Sequence, residues 1–160
     1  MQELFLDNKT LIVFLHVISA VVWVGGMIAM RFAAHQSFLV IESPGQRLER
    51  IAHALKRLFT IVLPFVIILI ITAVFMLKGY DLKHTDFSAL GHAKEGIWSI
   101  MFINLIVMMK RRNRAEKALA DSDVLLAKTQ LEFIGKYQVP ANIILGVIAI
   151  FLGTYLSSNI

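Results

Sequence analysis

The sequence predicts an all-α membrane protein, a four-transmembrane-helix bundle with both termini on the periplasmic side. Three observations predict it. Of the 160 residues, 58% are apolar and 17% charged, where a soluble domain has about 25% charged and about 45–50% apolar residues. Four uncharged stretches divide the chain, and a bilayer core of about 30 Å needs about 20 apolar residues per helix. Lys and Arg gather on alternate connections, twelve on one side and four on the other.

The helices are expected at about 10–34, 47–79, 90–118 and 137–159, within a single membrane domain covering residues 1–160. Residues 10–30 carry no formal charge and one His, and 58–77 carry neither charge nor His. Residues 137–159 are also uncharged. Pro44-Gly45 reads as a turn, followed by an amphipathic lead-in over 46–57 with Leu48, Ile51 and Leu55 on one stripe. The third stretch, 96–109, has only 14 uncharged residues, or about 21 Å of helix. Lys110-Arg111-Arg112 blocks extension forwards, so this helix is expected to grow backwards through Glu95, Lys94 and His92. Residues 115–133 read as a cytoplasmic extension of the third or fourth helix. Pro64 and Pro140 kink or begin the second and fourth helices. Glu3 and Asp7 precede Lys9, so the N-terminus lacks the basic flank of a cleavable signal.

The positive-inside rule puts the basic connections 31–57 and 110–136 in the cytoplasm. Topology thus accounts for the net charge of +5, and no nucleic-acid partner is expected. The cluster Lys110, Arg111, Arg112 and Arg114 is also placed to touch anionic membrane lipid. With no cysteine, a metal would need His, Met, Lys or oxygen ligands. No GxGxxG, Walker, HExxH or nucleophile-elbow motif occurs, so hydride transfer from a bound nucleotide is not supported. An oxidoreductase here would need a cofactor lodged among the helices.

Ionisable residues at membrane depth are functional candidates by default. His16 lies about 9 Å inside the outer edge, with Ala20, Trp23 and Met27 on its helical face. That face suits a flat apolar cofactor needing an axial ligand. The plainer alternative is a His that bonds a neighbouring helix and packs. The charge-derived orientation puts Lys94 at a similar depth, either facing a polar pocket with Glu95 or snorkelling at the interface. His35, four residues after Arg31, is either a ligand at the inner face or an interfacial His. His84 with Asp81 and Asp86 is a weaker candidate metal site, and His53 reads as solvated. Met27 and Met30, like Met108 and Met109, offer thioethers to Cu(I) or fill core space. Asn104 and Asn142 are expected to bond between helices. Gly25-Gly26 permits close helix contact, compatible with a homodimer.

The run LHVISAVVWVGG, from Leu15 to Gly26, resembles the first helix of the HemJ-type protoporphyrinogen IX oxidases. It is also similar to the CopD-type copper-resistance membrane proteins, which share a His-then-Trp-then-Gly helix. RLERIAHALKRLF followed by Pro64, Gly91-His92-Ala93-Lys94, and Val139-Pro140 before an Ile- and Leu-rich helix all look like HemJ features. Arg31 and His35 approximate the Arg and His that end the family's first helix. Tyr137-Gln138 stands where the family has Asn-Glu, Glu95 follows Lys94 where an apolar residue is usual, and Gly25-Gly26 is closer to CopD.

The resemblance implies haem b as cofactor and oxidation of the porphyrin substrate protoporphyrinogen IX to protoporphyrin IX, in a bacterial inner (cytoplasmic) membrane. His16 and Lys94 match the family's functionally important His and Lys. His16 is then a haem-iron ligand or part of the porphyrin pocket, and Lys94 takes up protons or pairs with a propionate. Trp23 stacks near the macrocycle, His92 joins the cofactor pocket, Arg31 anchors a carboxylate and His35 is a second candidate metal ligand. Electrons leave to a quinone or a redox partner. The rival expectations are copper binding or transport through His16 and the methionines, and a structural subunit of a membrane complex.

Overall fold

A computed structural model describes residues 2–80 and 88–159. The candidate His84, with Asp81 and Asp86, lies outside the described residues. Every regular element among the described residues is helical. A helix satisfies its own backbone donors and acceptors, which an apolar surrounding demands.

Helix α1 (Gln2–Asp7) precedes α2 (Lys9–Ala29). A π turn, Met30–Ala34, carries α2 into the short α3 (His35–Phe38). Then come α4 (Pro44–Gly79) and α5 (Ser88–Ala120). Helix α6 (Val124–Phe133) runs through a second π turn, Ile134–Gln138, into α7 (Val139–Asn159). Three helices are long and apolar enough to cross a membrane: Lys9–Phe38, Pro44–Gly79 and Val124–Ser158. Helix α5 is of similar length, but its uncharged stretch has only 14 residues.

Four rods close a ring in which α2 packs on α4, α4 on α5, α5 on α7, and α7 on α2. The core holds Trp23, Met27, Val62, Val66, Leu105 and Met108. Outward faces are also apolar on every rod, with Phe14 59%, Ile67 51%, Ile103 61% and Phe151 67% exposed. Polar Ser19, Thr72, Gln138 and Asn142 are buried instead. That inversion suits a hydrocarbon solvent, where large exposed apolar patches carry no penalty.

Local chemistry explains the boundaries. Helix α4 starts at Pro44 itself, two residues before the expected lead-in, because Pro at the first helical position gives up a donor that would be orphaned anyway. The Arg47 guanidinium closes the preceding connection by donating twice to the Ile41 carbonyl, at 2.9 and 2.6 Å. Pro64 stays inside α4. Pro140 is the second residue of α7, one residue beyond the second π turn. Its missing N–H and its ring conflict with the carbonyl four residues back, which the wider turn accommodates. The expected 115–133 extension is broken at Ser122, whose φ is 61°, and Asp123 caps α6 by accepting from the Leu126 N–H at 2.9 Å.

Two glycines let helices meet. A Cβ on Gly146 would strike Val24, so α7 can lie close on α2 there. One on Gly26 would come within 3.0 Å of Leu58. The small surface of Gly26 is therefore used within the chain, against α4, while Gly25 faces open space. At the N-terminus, Phe5 is buried over Gly79 and edge-on to Tyr80, tying α1 to the end of α4.

Candidate functional site

At the end of the bundle where α2 and α5 begin, His16 sits half-buried on α2. Its Nδ1 lies 3.0 Å from the Thr72 Oγ1 on α4. Thr72 has one hydroxyl hydrogen, directed at the carbonyls of Ile68 (2.8 Å) and Leu69 (3.0 Å) one turn back. With that hydrogen on a backbone carbonyl, the threonine oxygen accepts from a protonated Nδ1 and Nε2 keeps its lone pair; in the other tautomer Thr72 donates to Nδ1. The Leu69 backbone also lies within hydrogen-bonding reach of the ring. A buried, oriented imidazole with one nitrogen tied down is how proteins prepare a histidine for a metal or a proton.

Lys94 arrives from α5, itself half-buried, and lies within electrostatic range of His16. Its Nζ rests 2.7 Å from where a Cβ on Gly153 would stand. The site thus draws on all four rods: His16 from α2, Thr72 from α4, Lys94 from α5 and Gly153 from α7. Thr72 and Gly153 are absent from the sequence-derived candidates. The signal for Thr72 is a lone hydroxyl in an otherwise aliphatic run. The glycine gives no sign of its role until α5 and α7 are paired.

Trp23 lies two turns along the same face of α2, 2% exposed, with its Nε1 buried and without a hydrogen-bond partner. An unpaired indole N–H in apolar surroundings is a donor in search of an acceptor. The remaining candidates lie elsewhere. His92 is exposed and its ring is 3.2 Å from the Glu95 carboxylate one turn on. Arg31 sits in the first π turn and His35 just after it. Fifteen residues separate His16 from Arg31, about 22 Å of helix. One macrocycle centred on His16 does not span that length. Met27 and Met30 are both in the apolar core, and Met27 is fully buried. Among the described residues no group of three His, Cys, Asp or Glu side chains is placed to hold a metal ion.

Deeper along α5, a second polar cluster joins this helix to α7. The Asn104 amide donates to the Gln138 carbonyl (2.9 Å) and to Asn142 Oδ1 (2.8 Å). Gln138 Nε2 donates back to Asn104 Oδ1 at 3.0 Å. Asn104 and Asn142 thus bond between helices, with Gln138 as a third member.

The donor set fits a haem in one respect, a single imidazole oriented by a neighbouring hydroxyl. It does not fit a multidentate imidazole–carboxylate metal centre. Comparison of the chain with protein-family models, curated proteins and solved structures gave no match.

Proposed function

We propose that this chain is a haem b-binding membrane oxidoreductase that oxidises protoporphyrinogen IX to protoporphyrin IX. The observation that carries the reading is the His16 ring, its Nδ1 held 3.0 Å from the Thr72 hydroxyl with Lys94 close by. The likeness of the 15–26 run and of His92-Ala93-Lys94 to HemJ-type sequences supports it. A bound haem would supply a one-electron path from the porphyrin to a quinone or a partner protein.

The chain's own residues do the rest. His16 Nε2 is the nitrogen for the iron, and Thr72 holds the ring at the required angle. Lys94 either pairs as an ammonium with a porphyrin carboxylate or, as the neutral amine, takes up protons leaving the substrate. Trp23 forms an apolar wall with one donor unspent. Arg31 and His35, about 22 Å of helix or more from His16, take no part in this pocket, and His92, two residues before Lys94, stands at its edge.

In the same reading α5 is the fourth span. Ile100 and Ile103 are 57% and 61% exposed, the same outward apolar face as the other three rods. Lys94 and Glu95 then mark one interface and Lys110 the other. Both termini face the periplasm, and the membrane is the bacterial inner membrane.

A visible spectrum of the purified protein tests the proposal, together with rescue of a strain lacking its own protoporphyrinogen oxidase. The expected result is a Soret band lost in His16→Ala, and rescue that fails in His16→Ala and Lys94→Met. A colourless protein that takes up Cu(I) through Met27 and Met30 would replace this reading with the copper one. Haem binding without rescue would remove the substrate assignment.

A further inference from the structure

The opposite end of α5 carries a feature that the porphyrin reading does not use. Val107, Lys110, Arg111 and Arg114 follow one another at helical spacing on a single stripe of α5. Together with Gln130 of α6 they line a pocket of about 440 Å³. The lining offers donors and no carboxylate. Arg111 Nη1 donates to Gln130 Oε1 at 2.9 Å. That bond occupies the glutamine's acceptor and leaves its amide N–H groups as donors. The Arg111 guanidinium is clamped over the Phe133 ring at 4.1 Å, and its Nε is buried without a hydrogen-bond partner. Among the described residues, Lys110 and Arg114 make no ion pair.

The nearest acid on α5 is already engaged. Glu116 lies 2.7 Å from Arg112 and 3.8 Å from Lys56. Glu132, next to Phe133, lies 3.7 Å from Lys128, so among the described residues no carboxylate is paired with Lys110, Arg111 or Arg114. The pocket lies where α5 passes from the uncharged 96–109 stretch into its basic segment, with apolar Val107 at one edge. Phe133 and Tyr137 stack nearby at 5.2 Å, with Lys136 over the tyrosine at 5.5 Å. Aromatic and basic side chains in this combination mark a membrane interface.

We propose that the pocket formed by Lys110, Arg111, Arg114 and Gln130 binds a phosphate group carrying net negative charge, as in the headgroup of an anionic phospholipid or as free phosphate. Arg111, fixed by Gln130 and Phe133, presents a preset guanidinium edge. Lys110 and Arg114 close on the remaining oxygens. Charge-assisted bonds of this kind are the strong ones, and two of them change affinity by about tenfold or more.

The two sources are separated by two probes on the full chain in detergent. Native mass spectrometry counts retained phosphatidylglycerol against phosphatidylcholine, and a thermal melt reads protection by inorganic phosphate. The expected result is retention of phosphatidylglycerol over phosphatidylcholine, falling about tenfold in K110Q/R114Q. It should be unchanged in K128Q, which removes a charge outside the pocket. Protection by inorganic phosphate that disappears in the double variant would assign free phosphate as the occupant. Equal retention of both lipids by the wild-type chain, with no phosphate protection, overturns the proposal. The lipid preference of the wild-type chain decides this even if the double variant fails to fold. Binding unaffected by K110Q/R114Q in a folded variant overturns it as well.

Discussion

His16 and Lys94 stand at one end of the bundle, and Arg112 stands at the other, eighteen residues further along α5 than Lys94. Arg112 is 4% exposed. Its Nε donates to the Ala52 carbonyl of α4 at 3.1 Å, its Nη1 donates to Asn113 at 2.7 Å, and Glu116 neutralises it at 2.7 Å. That cation is built into a joint between α4 and α5. At the His16 end the polar groups are under-committed. The His16 ring is held by a neutral hydroxyl, the Trp23 N–H has no acceptor, and no carboxylate pairs with Lys94 among the described residues. A buried charge neutralised by its own carboxylate reads as architecture, whereas a buried donor or base with no such partner reads as a site.

The comparison breaks if the two ends respond alike to truncation. Arg112→Ala removes the tie to Ala52 and leaves a hole, and should cost about 3 kcal/mol of stability. Chemical denaturation in micelles measures it, and a loss below about 1 kcal/mol would deny Arg112 its structural role. Asn142→Leu, which strips an acceptor from Asn104, should cost about 1–2 kcal/mol in the same assay.

Thr72→Val should cost less, about 0.6–1 kcal/mol. It should nonetheless weaken haem uptake about 10- to 100-fold, as loss of a ligand's orienting partner does. A Soret titration reads that separation, and equal haem affinity in the variant would mean that Thr72 does not position the ring. Gly153→Ala should change stability least, within about 0.5 kcal/mol, because only the flexible tip of Lys94 has to move. Its expected signature is reduced rescue of the oxidase-deficient strain, with haem still bound.

The sequence made the rods legible because an uncharged run of about 20 residues is long enough to cross a bilayer and too apolar to be left facing water. It was also informative about His16, an imidazole alone in an apolar helix. The backward growth of α5 through Glu95 and Lys94 was legible as well, because 14 uncharged residues are too few to span and Lys110 blocks the other direction; the helix runs Ser88–Ala120. The sequence misplaced the start of α4, since Pro44-Gly45 reads as a turn although Pro is at ease as the first helical residue. The basic cluster at Lys110, Arg111 and Arg114 was legible, but Thr72, Gly153 and the part of Gln130 in that cluster were hidden for one physical reason: each acquires meaning only when a second helix is laid against it. Arg31 and His35, expected at the inner face, stand about 22 Å of helix or more from His16.

The tautomer of His16 tests the central claim most directly. Nitrogen-15 NMR of histidine-labelled protein, with the His16 signals assigned by their loss in His16→Gln, distinguishes a protonated ring nitrogen from a bare one. The expected spectrum has Nδ1 protonated and Nε2 bare, with the Nε2 signal lost from its free position when haem is added. A proton on Nε2, or a spectrum that haem leaves unchanged, would contradict the account.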